Sequence, residues 1–153
     1  MEQHQRYMRE ALLEAQEALR LGEVPVGAVV VYNGEIVARA CNRRETDRMA
    51  TAHAELLAIE QACRALGGWR LTDCTLYVTL EPCPMCAGAI VNARVGRVVY
   101  GAKDARAGAM GSLLNVNAYP LNHKPELTVG VLADECAAVL REFFESRRRE
   151  KKE

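Results

Sequence analysis

The chain has no net charge: its 153 residues include twenty Lys and Arg against twenty Asp and Glu. Bulk charge therefore argues neither for nor against a polyanionic partner. No apolar run approaches the roughly 18 residues that a membrane-spanning helix needs, and no secretory leader is visible in the charged, helix-patterned N-terminal stretch. A cytoplasmic address and no membrane partner are the expectation. In that reducing compartment six cysteines are not expected to make three disulfides. Internal repeats, low-complexity tracts and linkers are also missing from the sequence. The length suits one substantial core and is short for two, so residues 1–153 are expected to form one domain.

The charge is unevenly spread. Residues 1–23 are net −2, residues 94–106 net +3, and the run "RRREKK" at 147–152 net +4. A local basic patch can bind a polyanion on a neutral molecule, although a solvated helix end explains such a tail equally well. The basic end of the last helix spans about 141–153.

Apolar residues at helical spacing (Met8, Leu12, Ala15, Leu19) predict a helix over 5–21, with Gly22 as its stop. "VGAVVVYNGEIVARA" reads as two strands joined at Asn33-Gly34, a pair that tolerates the positive φ of a tight hairpin. Thr51 is expected to cap a helix running to Leu66, which Gly67-Gly68 ends. "TLYVTL" alternates as a strand, and Pro82 suits the start of a helix over Cys83 to Asn92. "RVVY" and "LTVGVL" read as short strands around a long loop, and Asp134 as the cap of a last helix holding Phe143 and Phe144. An opening hairpin followed by strand–helix alternation predicts a mixed sheet covered by helices.

The chemistry concentrates in "EPCPMC", residues 81–86. Two cysteines three apart at a strand-to-helix junction suit a redox pair, whose thiol pKa the helix N-terminus lowers. They suit a zinc site equally, since the same amides stabilise two thiolates. "TAHAE", residues 51–55, separates these alternatives. It puts His53 at another helix start, and two helix N-termini on one sheet edge can point at a common spot. His53, Cys83 and Cys86 make three ligands, which leave a tetrahedral Zn2+ one open position, the catalytic arrangement. A fourth ligand, Cys74 or Cys41, would close the site and make it structural. On an ideal helix Glu55 turns about 200° from His53, so it is expected near the metal and off it, serving proton transfer. Cys41, Cys63, Cys74 and Cys136 are expected as small core residues. His4 is expected at the surface, and His123 in a loop role.

His-x-Glu followed by Pro-Cys-x-x-Cys is the signature of zinc-dependent nucleobase deaminases, a matched pattern rather than a derived one. Its physical sense is that zinc lowers the pKa of its water towards ~7. The hydroxide attacks the amine-bearing carbon, Glu55 moves the proton to the ring nitrogen, and ammonia leaves.

"VPVGAVVV", "NRRE", "TAHAE", "TLYVTLEPCPMCAGAI", "GRVVYGAKDARAGAMGSL" and "LADECAAVLREFF" together span residues 24 to 144. They resemble the bacterial tRNA-specific adenosine deaminases. The resemblance implies a three-layer α/β/α, cytidine-deaminase-like fold with a central mixed five-stranded sheet. It implies a homodimer with one Zn2+ per subunit, converting the wobble adenosine of a tRNA anticodon stem-loop to inosine. It carries over His53, Cys83 and Cys86 as zinc ligands and Glu55 as the proton shuttle. Asn42 matches the position that hydrogen-bonds the target nucleoside. Lys103 and Asp104 of "GAKD", the stretch around Asn122, and Phe144, Arg148 and Arg149 of the last helix match the anticodon-loop cradle; the residues themselves add Arg106 as a phosphate-neutralising cation. Lys103 stands where the family more often has Arg, and Pro84 where Val is familiar; Lys for Arg changes hydrogen-bonding geometry. A deaminase of free cytidine, guanine or a nucleotide uses the same zinc chemistry, and a non-catalytic zinc or RNA-binding subunit is the alternative of another class.

Overall fold

The structure is a computed structural model that describes residues 1–152, Lys152 by its backbone alone; Glu153, the end of the expected basic tail, lies outside the described residues. Helix α1 (Glu2–Arg20) precedes strands β1 (Gly27–Tyr32) and β2 (Glu35–Cys41), helix α2 (Ala54–Leu66), strand β3 (Cys74–Leu80) and helix α3 (Pro84–Asn92). Strands β4 (Arg97–Ala102) and β5 (Glu126–Val129) and helix α4 (Ala133–Lys152) follow. One turn of 3₁₀ helix, Val116–Ala118, interrupts the loop before β5. No helix among the described residues is long and apolar enough to cross a membrane.

The five strands form one mixed sheet in the order β2-β1-β3-β4-β5. β1 is antiparallel to both β2 and β3, while β3, β4 and β5 are parallel. The β1–β2 hairpin turns at Asn33 (φ 51°) and Gly34 (φ 77°), the paired left-handed conformations that the dipeptide favours. Strand alternation sends Ala28, Val30, Leu76, Val78, Val98 and Tyr100 to one face, where α2 and α3 cover them. Val29, Val31, Tyr77 and Val99 go to the other, under α1 and Cys136 of α4. The expected three-layer α/β/α fold is thus observed. Each fully buried Val or Leu in those layers stabilises it by roughly 1.5–3 kcal/mol.

Four local expectations need correction. Helix α2 starts at Ala54, not after Thr51, because His53 is extended (φ −79°, ψ 150°) and is itself the N-cap. Helix α3 starts at Pro84, one residue after the expected Cys83, which is its N-cap; Pro82 stands just before that cap, near the start as expected. Asp134 lies in the first turn of α4 rather than before it. His4 is half-buried, because its Nδ1 meets the Tyr77 hydroxyl at 2.7 Å across the α1–β3 contact. The remaining boundaries agree within a few residues: α1 begins and ends slightly early, and β5 stops at Val129 as Gly130 turns left-handed (φ 89°).

Helix α1 packs so closely on β1 that Gly27 has no room for a side chain. A Cβ there would lie 2.0 Å from the Ala11 carbonyl oxygen and 2.4 Å from the Ala15 nitrogen, both backbone. Gly27→Ala should therefore cost at least about 1–3 kcal/mol, a fall of roughly 3–10 °C in the melting midpoint. An unchanged calorimetric midpoint would show that α1 is not held where described.

Candidate active site

Because β2 and β3 run parallel with β1 between them, both end at the same sheet edge. The loop after β2 delivers His53 to the N-terminus of α2, and the turn after β3 delivers Cys83 to that of α3. Both residues are N-caps whose side chains make no capping hydrogen bond. Their backbone carbonyls instead open the two helices, accepting from Leu57 and Ala87. The side chains are thereby free to meet. His53 Nδ1 lies 3.6 Å from Cys83 Sγ and 3.5 Å from Cys86 Sγ.

Those separations suit a shared tetrahedral ion. Bonds of about 2.3 Å to sulfur and 2.0–2.1 Å to nitrogen at a tetrahedral angle put the donor atoms about 3.6 Å apart. His53, Cys83 and Cys86 are the one group of three or more such side chains among the described residues able to hold a metal. Cys41 and Cys74 do not join it, so no fourth cysteine closes the site. Both are buried, as is Cys136, while Cys63 is half-buried.

The electrostatics favour a cation. The hydrogen bond from Cys86, aided by His53, draws the Cys83 thiol down to about 4 despite burial. Its counterpart pushes the Cys86 thiol up, because the two sulfurs share one proton. The hydrogen bond between Cys83 and the imidazole raises His53. A divalent ion would displace that proton, so metal affinity should rise with pH. After zinc loading and dialysis, His53→Ala or Cys86→Ala should hold well below the one equivalent expected of the unsubstituted chain. A full equivalent in either variant, by elemental analysis, would remove that residue from the ligand set.

Glu55 is 4% exposed and lines the same cleft as His53 and Cys83. Burial is the main cause that pushes its carboxyl up to about 7. The helical-wheel expectation placed it about 200° from His53, but His53 is not helical, so both side chains face the cleft. Glu55 nonetheless stays outside the donor set.

The cleft measures about 180 Å³, below the roughly 300–1,000 Å³ of drug-sized pockets and suited to one small ring system. Val24, Val26 and Leu80 supply its apolar wall, and Asn42, Arg44 and Asp104 stand among its polar groups. Asn42 donates through Nδ2 to the Val24 carbonyl (3.2 Å), and its Oδ1 accepts from the Arg44 amide (3.3 Å). One N–H and one lone pair remain free for a ligand.

The other sequence-predicted residues are not brought to the cleft wall. Lys103 and Arg106 are exposed on the loop beside Asp104. Asn122 borders a separate depression against Val91 and Arg94. Phe143 is buried while Phe144, about 100° further round α4, is 44% exposed, and Arg148 and Arg149 extend exposed beyond them. His123 has the expected loop role, its Nε2 lying 2.6 Å from the Val95 carbonyl.

Sequence reasoning missed two buried carboxylates that hold the cleft's rims. Glu81 accepts hydrogen bonds from the amides of Asp104, Met110 and Ser112 and from the Ser112 hydroxyl. Glu23 accepts from the amides of Glu45 and Thr46 and from the Thr46 hydroxyl. The available signal was weak: Glu81 stands between Leu80 and Pro82 at a buried strand end, where a charge needs partners.

The MafB19-like deaminase family model matches residues 2–148. The tRNA-specific adenosine deaminase of Bacillus subtilis is 54% identical, over 99% of this chain and 95% of its own. A solved tRNA:A34 deaminase, from work on A-to-I editing at the wobble position of transfer RNA, superimposes with a TM-score of 0.86 and 45% identity. That match covers 88% of this chain and 99% of the other. Guanine deaminase from Nitrosomonas europaea shares the fold more distantly, with a TM-score of 0.76 and 27% identity over 91% of this chain and 83% of its own. The chain belongs to the tRNA-specific adenosine deaminases, within the wider MafB19-like deaminase family.

Proposed function

We propose that the chain hydrolyses adenosine to inosine at the wobble position of a tRNA anticodon loop, with ammonia as the other product. The observation that carries this reading is the trio of donors spaced for one tetrahedral ion, with the buried Glu55 carboxyl beside them. His53, Cys83 and Cys86 would hold Zn2+. When bound, zinc supplies the Lewis acidity that makes water nucleophilic near neutral pH.

The protein's own groups do the rest. A carboxyl poised at about 7 both takes and returns a proton at working pH. Glu55 removes the proton of the attacking water, gives it to the ring nitrogen next to the amine-bearing carbon, and assists departure of the amine. Asn42 offers the free half of its amide to the nucleoside, and Val24, Val26 and Leu80 exclude water around the ring. A base in an anticodon loop must leave its stack to reach this cleft. Lys103, Arg106, Arg148 and Arg149 would neutralise phosphates of the surrounding loop. Asp104 and Asn122 would bind ribose or base edges, and exposed Phe144 would stack.

The reading includes a homodimer, a cytoplasmic setting and one domain over residues 1–153. The likeness to guanine deaminases favours a second reading, a deaminase of free bases. Parallel incubations with tRNA, guanine, cytidine and adenosine separate the two. Inosine at the wobble position with no turnover of the free compounds supports the first; turnover of the free compounds alone defeats it.

A further inference from the structure

Arg44 is a cation at the cleft that no part of the reading above uses. It is exposed on the loop from β2 to α2 and lines the cleft together with Asn42, Asp104 and Ala107. Its neighbour Arg43 is engaged, with Nε 3.0 Å from Asp47. Arg44 takes part in none of the five ion pairs found among the described residues.

Its backbone is nevertheless fixed at both ends. The Arg44 amide donates to Asn42 Oδ1 and its carbonyl accepts from Met49 (3.1 Å). The next two amides, Glu45 and Thr46, are anchored on the Glu23 carboxylate at 3.2 and 2.6 Å, and Glu23 is only 2% exposed. The loop closes where the Arg43 amide donates to the Ala52 carbonyl (2.9 Å), one residue before His53. Burial opposes ionisation of Glu23, but the bonds from Thr46 and Glu45 outweigh it and hold its carboxyl below the usual range. The brace is therefore charged and intact at neutral pH. The brace fixes the Arg44 backbone at the rim, so the ordering entropy lost when its guanidinium captures an anion is confined to the side chain.

The anion that must come to this place follows from the substrate. A nucleotide whose base fills the cleft carries its own backbone phosphates to the rim. The planar fork of Arg matches two phosphate oxygens at once. We infer that Arg44 clamps a backbone phosphate flanking the target nucleotide and so helps to select adenosine within RNA over the free nucleoside. This rests on the proposed RNA substrate. Lys103 and Arg106, exposed beside Asp104, would neutralise other phosphates of the loop.

The test compares zinc-loaded wild type, Arg44→Ala and Arg44→Lys on an anticodon stem-loop RNA. Arg44→Ala should raise KM about tenfold or more, leave kcat within about twofold, and flatten the log–log salt dependence of affinity by about 0.7. Arg44→Lys should restore the salt slope but only part of the affinity. Neutral methylphosphonate, placed in turn 5′ and 3′ of the target, identifies the phosphate: at one position the wild type should fall to the level of Arg44→Ala, and the variant should lose nothing further. The Arg44 side chain has no partner among the described residues, so an unchanged melting midpoint confirms the fold of the variants. Wild-type KM and salt slope in Arg44→Ala, or additive losses at both methylphosphonate positions, would overturn the inference alone. A wild type that leaves the stem-loop unedited would overturn the functional reading and this inference together.

Discussion

Glu55→Ala should keep its zinc and lose deamination by about 10²–10⁴-fold or more, the usual range for a positioned general acid–base. The two halves of that expectation have separate origins. Zinc retention follows from the donor set, which is complete without Glu55. Loss of turnover follows from its burial at 4% exposure and a carboxyl pushed up to about 7, which lets one group accept and then return a proton. Water cannot easily replace it, because the apolar wall of Val24, Val26 and Leu80 surrounds the same cleft. Glu55→Gln adds a second arm. It keeps the shape and a hydrogen-bond donor but cannot cycle a proton, so it should be as inactive as the alanine variant. Metal content by elemental analysis and single-turnover rates on stem-loop RNA read out both halves. Activity within tenfold of wild type in either variant would remove Glu55 from proton transfer, and zinc loss would make it a ligand.

Glu81→Ala should be the most destabilising change at the site that spares every proposed zinc ligand. The Glu81 carboxylate ties the amides of Asp104, Met110 and Ser112 to the end of β3, at 3.0, 3.1 and 3.1 Å. Gly108 comes so close to this carboxylate that an added Cβ would lie 2.3 Å from its Cδ, so the loop has been fitted around the charge. Removing it strands three amide donors at about 1–3 kcal/mol each, which is at least roughly 3 kcal/mol and at least about 6 °C in the melting midpoint. Because Asp104 is displaced with the loop, KM for RNA should rise as well.

A pH signature separates this from simple loss of packing. Burial opposes ionisation of Glu81, but the bonds from Ser112, Asp104 and Met110 outweigh it and hold its pKa below the ordinary carboxylate value. A group with a depressed folded pKa contributes stability above its unfolded pKa of about 4.3, and that contribution disappears as pH falls through the folded pKa. The gap between wild type and Glu81→Gln in urea unfolding should therefore be widest at neutral pH and shrink below about pH 4. A gap that stays constant on acidification would mean that the carboxylate is not the brace.

The contrast between Glu55 and Glu81 shows what could be read along the chain and what could not. Zinc chemistry demands fixed residue types at short spacing, so His53, Glu55, Cys83 and Cys86 stand out in the sequence itself. The hairpin at Asn33-Gly34 and the stop at Gly67 were legible for the same reason, because positive φ restricts composition locally. Glu81 finds its partners 23 to 31 residues downstream, and Glu23 finds its own 22 to 23 residues downstream. No periodic pattern records such pairings. His4 was misplaced likewise, because Tyr77 lies 73 residues away in sequence and adjacent only in the fold. The helix starts erred by small amounts for a related cause. His53 and Cys83 take extended cap conformations that free their side chains for a shared ion, whereas capping preferences favour Thr51 as a cap and a helix that already includes Cys83.

The most direct measurement is inosine mapping of tRNA after incubation with the zinc-loaded chain. The expected result is a single new inosine at the wobble adenosine, released with one ammonia per site and absent from the Glu55→Ala reaction. Unmodified tRNA, alongside ready turnover of free guanine or cytidine by the same preparation, would contradict it.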